Sequence, residues 1–291
     1  MQPDDLLIKS FRNRSCVEED SVEARLVHGI SPDALASIPS GSIDLIVTSP
    51  PYSNQRQDIY GGAHPDEYVK WFLPISEELL RVLKPTGTFI LNIKEKVVEG
   101  ERHTYVIDLI KAMKGQGWKW TEEFIWKKAN AAPGFWPNRF RDGWERLLQF
   151  NKQKKFNMYQ DAVKVPIGDW AKKRLAKLGA NDKSRRTSNT GSGVGIKMVN
   201  WVGKEDCYPS NVLDLATVSA NTGHSAAYPK QLPAWFIKLF TLPGDMVLDP
   251  FVGSGTTCVA ALELNRNSIG IEKLSEHIAL AEENLNKAIA L

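Results

Sequence analysis

A short β-branched run that leads directly into two prolines and a tyrosine constrains the fold of this chain more than any other feature. Residues 43–47 read Ile-Asp-Leu-Ile-Val and predict a buried strand, and the chain continues as Thr48-Ser49-Pro50-Pro51-Tyr52. Proline donates no ladder hydrogen bond, and it holds the preceding residue extended. The strand must therefore end in a rigid segment whose carbonyl groups have fixed directions.

This proline segment suits one kind of ligand. Its carbonyl groups accept hydrogen bonds from an exocyclic amino group, and the ring of Tyr52 offers a face for stacking on a planar heterocycle. A proline turn with a purely structural role is the alternative interpretation.

A second motif lies some 200 residues later, where the predicted strand at 246–248 leads into Asp249-Pro250-Phe251-Val252-Gly253-Ser254-Gly255-Thr256-Thr257. The glycines let backbone approach a ligand, and a helix N-terminus with hydroxyl donors favours an anionic group. Glu272, 19 residues after Gly253, ends the next predicted strand and can accept hydrogen bonds from ribose hydroxyls. The pattern predicts a turn that binds a nucleoside cofactor.

Other turns of this kind fit less well. A dinucleotide site would have a third glycine where Cys258 stands, and a phosphate-binding P-loop would contain a lysine. A plain strand–helix turn remains the structural alternative.

Strands and helices alternate along most of the chain. Strands are predicted at residues 25–28, 43–47, 88–93, 118–127, 147–151, 246–248 and 268–271, and helices at 67–83, 105–114, 231–240, 256–264 and 275–290. Residues 1–24 are predicted to be peripheral, and residues 84–87 to stop a helix. The alternation predicts an α/β fold with a doubly wound, mostly parallel, Rossmann-like sheet. Because ligands bind at the carboxyl ends of such strands, both motifs can share one cleft.

Residues 152–220 break this alternation. Eleven Lys or Arg residues stand against three Asp between positions 152 and 186, an excess that suits a phosphate backbone, although a solvated surface would look similar. We therefore predict three segments: residues 1–151 form a catalytic half, 152–220 a target-recognition insert and 221–291 a cofactor-binding half. Within the insert, the candidate DNA-binding residues are Lys172, Lys173, Arg174, Arg185 and Arg186.

Composition excludes several classes of protein. The formal net charge is only +3, so overall charge predicts no polyanion partner. Three widely spaced cysteines predict neither a disulfide framework nor a metal site. No apolar run is long enough for a membrane span or a signal peptide. The sequence therefore predicts a protein of the cytosol that binds neither membrane nor metal.

Taken together, the motifs resemble those of the β-class DNA amino-methyltransferases of restriction–modification systems, over residues 25–291 and in the permuted order of that class. The resemblance implies a cofactor, S-adenosyl-L-methionine, held by Thr48, by the positions from Asp249 to Thr257 and by Glu272. It also implies that His224, Ser225 and Lys230 belong to a block that packs around the methionine end of the cofactor. In this block Tyr228 stands where the family commonly has Phe.

The sequence departs from the family pattern after the first predicted strand. The family often has Gly-Asp there, with the acid near the adenine of the cofactor, whereas this chain has Gly29-Ile30. The contact would pass to the main chain at Ile30 or to Asp44.

The proline segment indicates which base is modified. Ser-Pro-Pro-Tyr is typical of N4-cytosine enzymes, and residues 49–61 are similar to those of the PvuII-site type, so the resemblance implies N4-cytosine methylation with N6-adenine as the alternative. No cysteine follows a proline, which excludes a C5-cytosine mechanism. An RNA or protein-amide methyltransferase and a non-catalytic DNA-binding protein remain less favoured, because the basic insert and both motifs are present.

The resemblance implies a mechanism. Ser49 and the Pro50 carbonyl would accept hydrogen bonds from the amino group of a flipped base, Pro51 would keep the segment rigid, and Tyr52 would stack on the base. In the loop at 133–145, Asp142 and Glu145 would orient that base or form ion pairs with Arg141 or Arg146. Trp136 and Trp144 would stack on a base, or they would be core or interface aromatics. Further candidate DNA-binding residues are Arg56, Arg139 and Arg141.

The partners that follow are double-stranded DNA and a cognate restriction endonuclease of the same system. The resemblance implies a monomer or homodimer in the prokaryotic cytosol or nucleoid.

Overall fold

The computed structural model describes residues 7–12, 21–53, 63–130, 133–134, 137–179, 198–218 and 228–290. In chain order, its strands are β1 (Leu7–Arg12), β2 (Glu23–His28), β3 (Ile43–Thr48), β4 (Leu83–Ile93), β5 (Val97–Val98), β6 (Glu101–Arg102), β7 (Lys119–Lys128), β8 (Trp144–Asn151), β9 (Val165–Pro166), β10 (Asp206–Cys207), β11 (Val212–Leu215), β12 (Met246–Asp249) and β13 (Asn267–Glu272). Its α-helices are α1 (Asp33–Ala36), α2 (Pro65–Val82), α3 (Tyr105–Gly115), α4 (Asp169–Ala176), α5 (Gln231–Phe240), α6 (Thr256–Glu263) and α7 (Ser275–Ile289).

Nine strands form one sheet in the order β1-β2-β13-β12-β3-β4-β8-β7-β11. Strands β2, β13, β12, β3 and β4 are mutually parallel. Strand β8 is antiparallel to both of its neighbours, and β1 is antiparallel to β2. The mostly parallel sheet that the sequence predicts is confirmed. Strands β3 and β12, which precede the two sequence motifs, are direct neighbours.

Helices cover both faces of the sheet. Along β2, the side chain of Val27 packs in a core cluster with helices α2 and α3, whereas Ala24 and Leu26 pack in another cluster with α6 and α7. Successive residues of a strand point to opposite faces, so the two clusters lie on opposite sides of the sheet. All six residues of β3 are buried, as expected for a strand covered on both faces.

The structure corrects several boundaries. Residues 84–87 lie inside β4, where the register shifts between the pairs Ile43–Leu83 and Leu45–Thr88. Proline is accommodated at such an irregularity because no regular ladder hydrogen bond is needed there. Strand β1 lies within the segment that the sequence predicts to be peripheral, and β11 within the predicted insert; both are edge strands, which carry weak periodic signals.

The described residues divide into two compact units. The first contains residues up to Tyr159 and from Asn211 onward, and the second is Gln160–Ser210. The second unit holds α4, the short β9–β10 pair and two 3₁₀ turns at Gln160–Val163 and Met198–Trp201. It is narrower than the predicted insert at 152–220, because β11 is part of the large sheet.

Candidate active site

The two sequence motifs meet at the carboxyl ends of β3 and β12. Thr48, the last residue of β3, is fully buried, and its Oγ1 donates a hydrogen bond to Asp249 Oδ1 at 2.6 Å. Phe251, two residues beyond Asp249, packs its ring 6.0 Å from that of Trp71 in α2. One hydrogen bond therefore joins the start of the proline segment to the start of the glycine-rich turn.

The carboxylate of Asp249 is surrounded by protein donors. Besides Thr48, it accepts hydrogen bonds from the Phe251 backbone N–H, the Thr257 hydroxyl and the Tyr228 hydroxyl. Burial raises the pKa of Asp249, although the hydrogen bonds from Thr257 and Thr48 oppose that rise. Because its oxygens are already occupied, Asp249 shapes the turn through these bonds.

Tyr228 has a hydroxyl group that the phenylalanine common at this position in the family the sequence resembles would lack. Its hydroxyl donates to Asp249 Oδ2 at 3.0 Å and also contacts the Thr257 hydroxyl. Burial and the nearby Asp249 raise the pKa of Tyr228 well above its ordinary value. The extra hydroxyl is the sequence signal for this contact, and it ties the segment before α5 to the glycine-rich turn.

The glycine-rich turn has a left-handed backbone. Gly253 has φ +52° and Gly255, the N-cap of α6, has φ +84°. A Cβ at Gly255 would approach Ala281 Cα to 3.1 Å, so α7 packs directly against this backbone. Glycine is required here both for conformation and for space.

Glu272 closes the turn at the end of β13. Its Oε2 accepts a hydrogen bond from the Gly253 N–H at 3.1 Å, and its Oε1 accepts from the N–H groups of Lys273 and Leu274, each at 2.9 Å. A carboxylate beside a glycine turn and a helix N-terminus has the chemistry that an adenosyl group requires: acceptors for ribose hydroxyls and closely approachable backbone. The residues therefore fit a nucleoside cofactor.

Hydrogen bonds fix the proline segment to α2 and to the residues just before it. The Tyr68 hydroxyl donates to the Pro51 carbonyl at 3.1 Å, and the Ser53 hydroxyl donates to the Ala63 carbonyl at 3.0 Å. Tyr68 is itself buried, with its ring 4.7 Å from that of Tyr105 in α3. These contacts keep residues 49–53 in place beside the end of β3.

The Tyr52 hydroxyl is part of a buried polar cluster. It donates to Glu145 Oε2 at 2.6 Å, and the Asn92 side-chain amide donates to the same oxygen at 3.1 Å. Lys128 donates to Glu145 Oε1 at 2.6 Å. Burial, followed by the charge of Glu145, raises the pKa of Tyr52 well above its ordinary value. Asn92 and Lys128 are not among the residues predicted from the sequence; the signal that marks them is a polar residue near the carboxyl end of a strand.

Asp142 and Glu145, the two carboxylates predicted in the loop at 133–145, each form an ion pair. Glu145 pairs with Lys128, and Asp142 pairs with Arg102 at 2.6 Å and with Lys94 at 3.5 Å. Partial burial raises the pKa of Asp142, but the hydrogen bond and charge of Arg102 outweigh it and give a net lowering.

The predicted alternative of Arg146 as a partner is wrong, because Arg146 binds Glu95 and Glu123. Trp144 is 43% exposed and lies under the Arg146 guanidinium, so it is not a core residue.

Asp44 lies at the opposite end of the sheet from the site. Both of its carboxylate oxygens bind Lys84 Nζ at 2.7 Å, and one accepts from the Met246 N–H at the start of β12. The alternative that Asp44 contacts the cofactor is therefore wrong. Ile30 follows β2 at the same edge of the sheet as Glu272, because the N–H of its neighbour Gly29 donates to the Glu272 carbonyl at 2.9 Å.

The remaining predicted residues are distributed as follows. Lys230 forms an exposed ion pair with Glu263 at 2.7 Å. Arg139 is half-buried, Arg141 is exposed, and Phe140 between them is 94% exposed. Five predicted site residues lie outside the described part of the chain: Arg56, Arg185, Arg186, His224 and Ser225. Trp136 does too.

The second unit presents a basic and aromatic surface. Lys172, Lys173 and Arg174 are exposed on α4, and Trp170 at its start is 78% exposed. In the same unit, Lys204 lies 4.9 Å above the ring of Trp201. Trp170 and Trp201 both line an apolar cavity of about 170 Å³.

The described residues show neither a metal site nor a membrane span. They contain no group of three or more His, Cys, Asp or Glu side chains suited to a metal ion. No helix within those ranges has the length and hydropathy to cross a membrane.

Comparison with known proteins agrees with this arrangement. A family model described as DNA methylase matches residues 43–283. The type II methyltransferase M.PvuII of Proteus hauseri is 29% identical over 274 residues, which cover 86% of this chain and 80% of that protein. The type II methyltransferase M.SmaI of Serratia marcescens is 26% identical over 308 residues, covering 94% of each.

Solved structures share the fold. A structure described as the PvuII DNA methyltransferase, cytosine-N4-specific, superimposes with a TM-score of 0.66 at 24% identity and covers 92% of this chain and 91% of that one. A Thermus thermophilus protein, described as a putative DNA modification methylase complexed with S-adenosyl-L-methionine, gives a TM-score of 0.58 at 21% identity, covering 90% of this chain and 93% of that one.

Proposed function

The chain belongs to the DNA methylase family, and from this membership we propose that it transfers a methyl group from S-adenosyl-L-methionine to the exocyclic N4 amino group of cytosine in DNA. The observation that carries the proposal is the hydrogen bond from Thr48 to Asp249. It joins the strand that leads into Ser-Pro-Pro-Tyr to the strand that leads into the glycine-rich turn. A methyl acceptor on one and a methyl donor on the other are thereby neighbours.

The turn after β12 is the proposed cofactor site. The Glu272 carboxylate accepts hydrogen bonds from the ribose, and the main chain from Pro250 to Gly255 approaches the nucleoside. Ser254 and Thr256 lie partly exposed at the start of α6 and supply hydroxyl donors. When bound, S-adenosyl-L-methionine supplies an electrophilic methyl group on a sulfonium.

The Ser-Pro-Pro-Tyr segment is the proposed acceptor site. The Ser49 hydroxyl and the Pro50 carbonyl accept hydrogen bonds from the two amino protons, which draws the nitrogen lone pair out of the ring. Tyr52 stacks on the base, a contact worth about 1–3 kcal/mol. Catalysis is then mainly positioning and electrostatics, and the base must leave the duplex to enter.

Cytosine is favoured over adenine by Ser49. The relative with a solved structure described as cytosine-N4-specific supports the same choice. N6-adenine is the second candidate, because the family includes enzymes of both kinds.

DNA contacts are proposed on two surfaces. The first is the loop with Arg139, Phe140 and Arg141, where an almost fully exposed aromatic ring stands between two cations. The second is helix α4 of Gln160–Ser210, where Lys172 and Lys173 bind phosphates and Arg174 binds phosphate or a guanine edge. Arg56, Arg185, Arg186, His224, Ser225 and Lys230 stay predictions for DNA and cofactor binding. A cognate restriction endonuclease and a monomeric or dimeric state stay proposals as well.

The proposal is tested with labelled S-adenosyl-L-methionine and separate DNA, RNA and protein acceptors. We expect label in DNA, and N4-methylcytosine after nucleoside digestion and mass spectrometry. N6-methyladenine would overturn the choice of base, and label only in RNA or protein would overturn the substrate. Ser49→Ala is expected to abolish the product.

The phosphate contacts are tested by salt dependence. Lys172→Ala with Lys173→Ala should reduce the slope of log affinity against log salt by about 2. The exposed Lys238→Ala on α5 serves as the control and should leave the slope unchanged. An unchanged slope in the double variant would remove α4 from the DNA surface.

A further inference from the structure

A chain of hydrogen bonds leads inward from the Ser-Pro-Pro-Tyr segment. The Ser49 hydroxyl donates to the Tyr52 hydroxyl oxygen at 3.3 Å, and the Tyr52 hydroxyl donates to Glu145 Oε2 at 2.6 Å. Glu145 is 5% exposed and lies in β8, the antiparallel strand next to β4. The first contact is long for two hydroxyls, as is common in catalytic sites without substrate.

The carboxylate fixes the direction of this chain. An ionised carboxylate only accepts hydrogen bonds, so the Tyr52 proton points toward Glu145. The Tyr52 oxygen is then left to accept from Ser49, whose own lone pairs become available to an amino group. Asn92 Oδ1 lies 3.3 Å from the Tyr52 hydroxyl, but the charged acceptor at 2.6 Å is the stronger partner.

The surroundings hold Glu145 in this position. Lys128 from β7 binds Oε1 at 2.6 Å, and the Asn92 amide from β4 binds Oε2 at 3.1 Å. Tyr105 from α3 is a further titratable group in these surroundings, and burial, followed by the charges of Glu95 and Glu145, raises its pKa. Three donors from three different segments thus fix the Glu145 carboxylate as the inner end of the hydrogen-bond chain.

We propose that Glu145 is a positioning residue that orients the Ser49–Tyr52 chain and receives, through it, the proton released by the methylated amino nitrogen. The proposal rests on the proposed amino-methyl transfer. The methyl–sulfur bond breaks with its electron pair left on sulfur, and the nitrogen lone pair forms the new bond to the methyl carbon. The nitrogen proton moves to Ser49 Oγ, the Ser49 proton to Tyr52, and the Tyr52 proton to Glu145. The positive charge of the sulfonium and the negative charge of the carboxylate are lost together.

Kinetics test the chain with variants that preserve shape. Glu145→Gln and Tyr52→Phe should each slow single-turnover methylation about 100-fold, a typical contribution of acid–base chemistry. The double variant should be no slower than either single variant, because both break one chain. Affinities for cofactor and for DNA should change less than twofold, since Phe keeps the stacking ring. Glu122→Gln, at an exposed position of β7, is the matched control with an unchanged rate.

A spectroscopic readout in the free protein separates this role from general support. With ¹³C-ζ-tyrosine labelling and assignment by Tyr52→Phe, the Tyr52 resonance should shift in Glu145→Gln and stay in place in Glu122→Gln. If Glu145→Gln alone fails to fold, Tyr52→Phe leaves the Glu145–Lys128 pair intact and must still show the kinetic loss.

The possible outcomes are distinct. Wild-type rates in Tyr52→Phe, or rate losses that multiply in the double variant, would overturn the relay. If the wild type forms N6-methyladenine instead, the choice of base fails, and the same variants test the relay on adenine. An unshifted Tyr52 resonance in Glu145→Gln would overturn the hydrogen bond whatever the substrate.

Discussion

The Thr48 hydroxyl lies 2.6 Å from the Asp249 carboxylate although 201 residues separate them in the chain. The contact exists because β3 and β12 are parallel neighbours, so that their carboxyl ends meet at one edge of the sheet. The sequence predicts only that the proline segment and the glycine-rich turn can share a cleft; the structure joins the two segments by a buried hydrogen bond.

Removing this bond should destabilise the protein. Thr48→Val keeps the side-chain shape but deprives a buried carboxylate oxygen of a donor, which costs about 1–3 kcal/mol. Urea denaturation measures the loss. Thr104→Val is the control, because its hydroxyl donates at 2.7 Å to Asp108 in an exposed setting. Equal losses at the two sites would show that burial of the bond does not matter.

Gly255 should tolerate alanine less well than Gly244. Both have left-handed backbones, at φ +84° and +86°, where alanine costs about 1–2 kcal/mol. Nothing lies within 4 Å of a Cβ at Gly244, whereas one at Gly255 meets Ala281. Gly255→Ala should therefore lose about 1–3 kcal/mol more in free energy of unfolding. Matching losses would contradict the close packing of α7 on the turn.

Glu272→Gln should weaken cofactor binding. The carboxylate accepts hydrogen bonds from backbone N–H groups, and the amide NH₂ of glutamine would instead point a donor at one of them. The substitution would also remove an acceptor for the ribose hydroxyls. At about 1.5–3 kcal/mol for a charged hydrogen bond, Kd should rise roughly tenfold or more in calorimetry with S-adenosyl-L-methionine. Glu276→Gln, exposed in the first turn of α7, is the control. An unaltered Kd would remove Glu272 from the cofactor site.

Two adjacent lysines should differ in their contribution to stability. Lys128 pairs with buried Glu145, whereas Lys127 pairs with Asp214 where both side chains are more than half exposed. Lys128→Met leaves a buried charge without its partner, at a cost of about 3–5 kcal/mol, while Lys127→Met should cost about 0–1 kcal/mol. Denaturant titration compares the variants. A small loss at Lys128 would mean that Glu145 is readily hydrated.

The two described cysteines should react differently with iodoacetamide. Burial raises the pKa of the Cys258 thiol to about 12, so only about one part in ten thousand is thiolate at pH 8. Cys207 is half-buried and should be modified first. Peptide mass spectrometry at pH 8 is the measurement, and Cys258 should become reactive only in denaturant. Rapid modification of Cys258 in the folded protein would contradict its burial.

Local patterns were sufficient for the central sheet. The apolar run at 43–47 predicts β3, and the glycine-rich turn predicts the start of α6, because both depend on neighbouring residues. The edge strands β1 and β11 were missed because exposed edges have little hydrophobic periodicity.

Contacts between distant strands were beyond prediction. The acceptor for the Tyr52 hydroxyl is 93 residues away in β8, a strand whose antiparallel direction no local pattern reveals. Asp44 illustrates the converse: its sequence position is close to Thr48, yet it lies at the opposite end of β3, bound to Lys84.

The position of β12 and β13 between β2 and β3 also determines when the site can assemble. During translation, Ser49 to Tyr52 leave the ribosome long before β12 and β13 are made. Strands β3 and β4 can pair early, but the sheet remains divided until residues 246–272 are inserted at its centre. The site thus assembles only after residues 246–272 have been synthesised and have joined the two parts of the sheet.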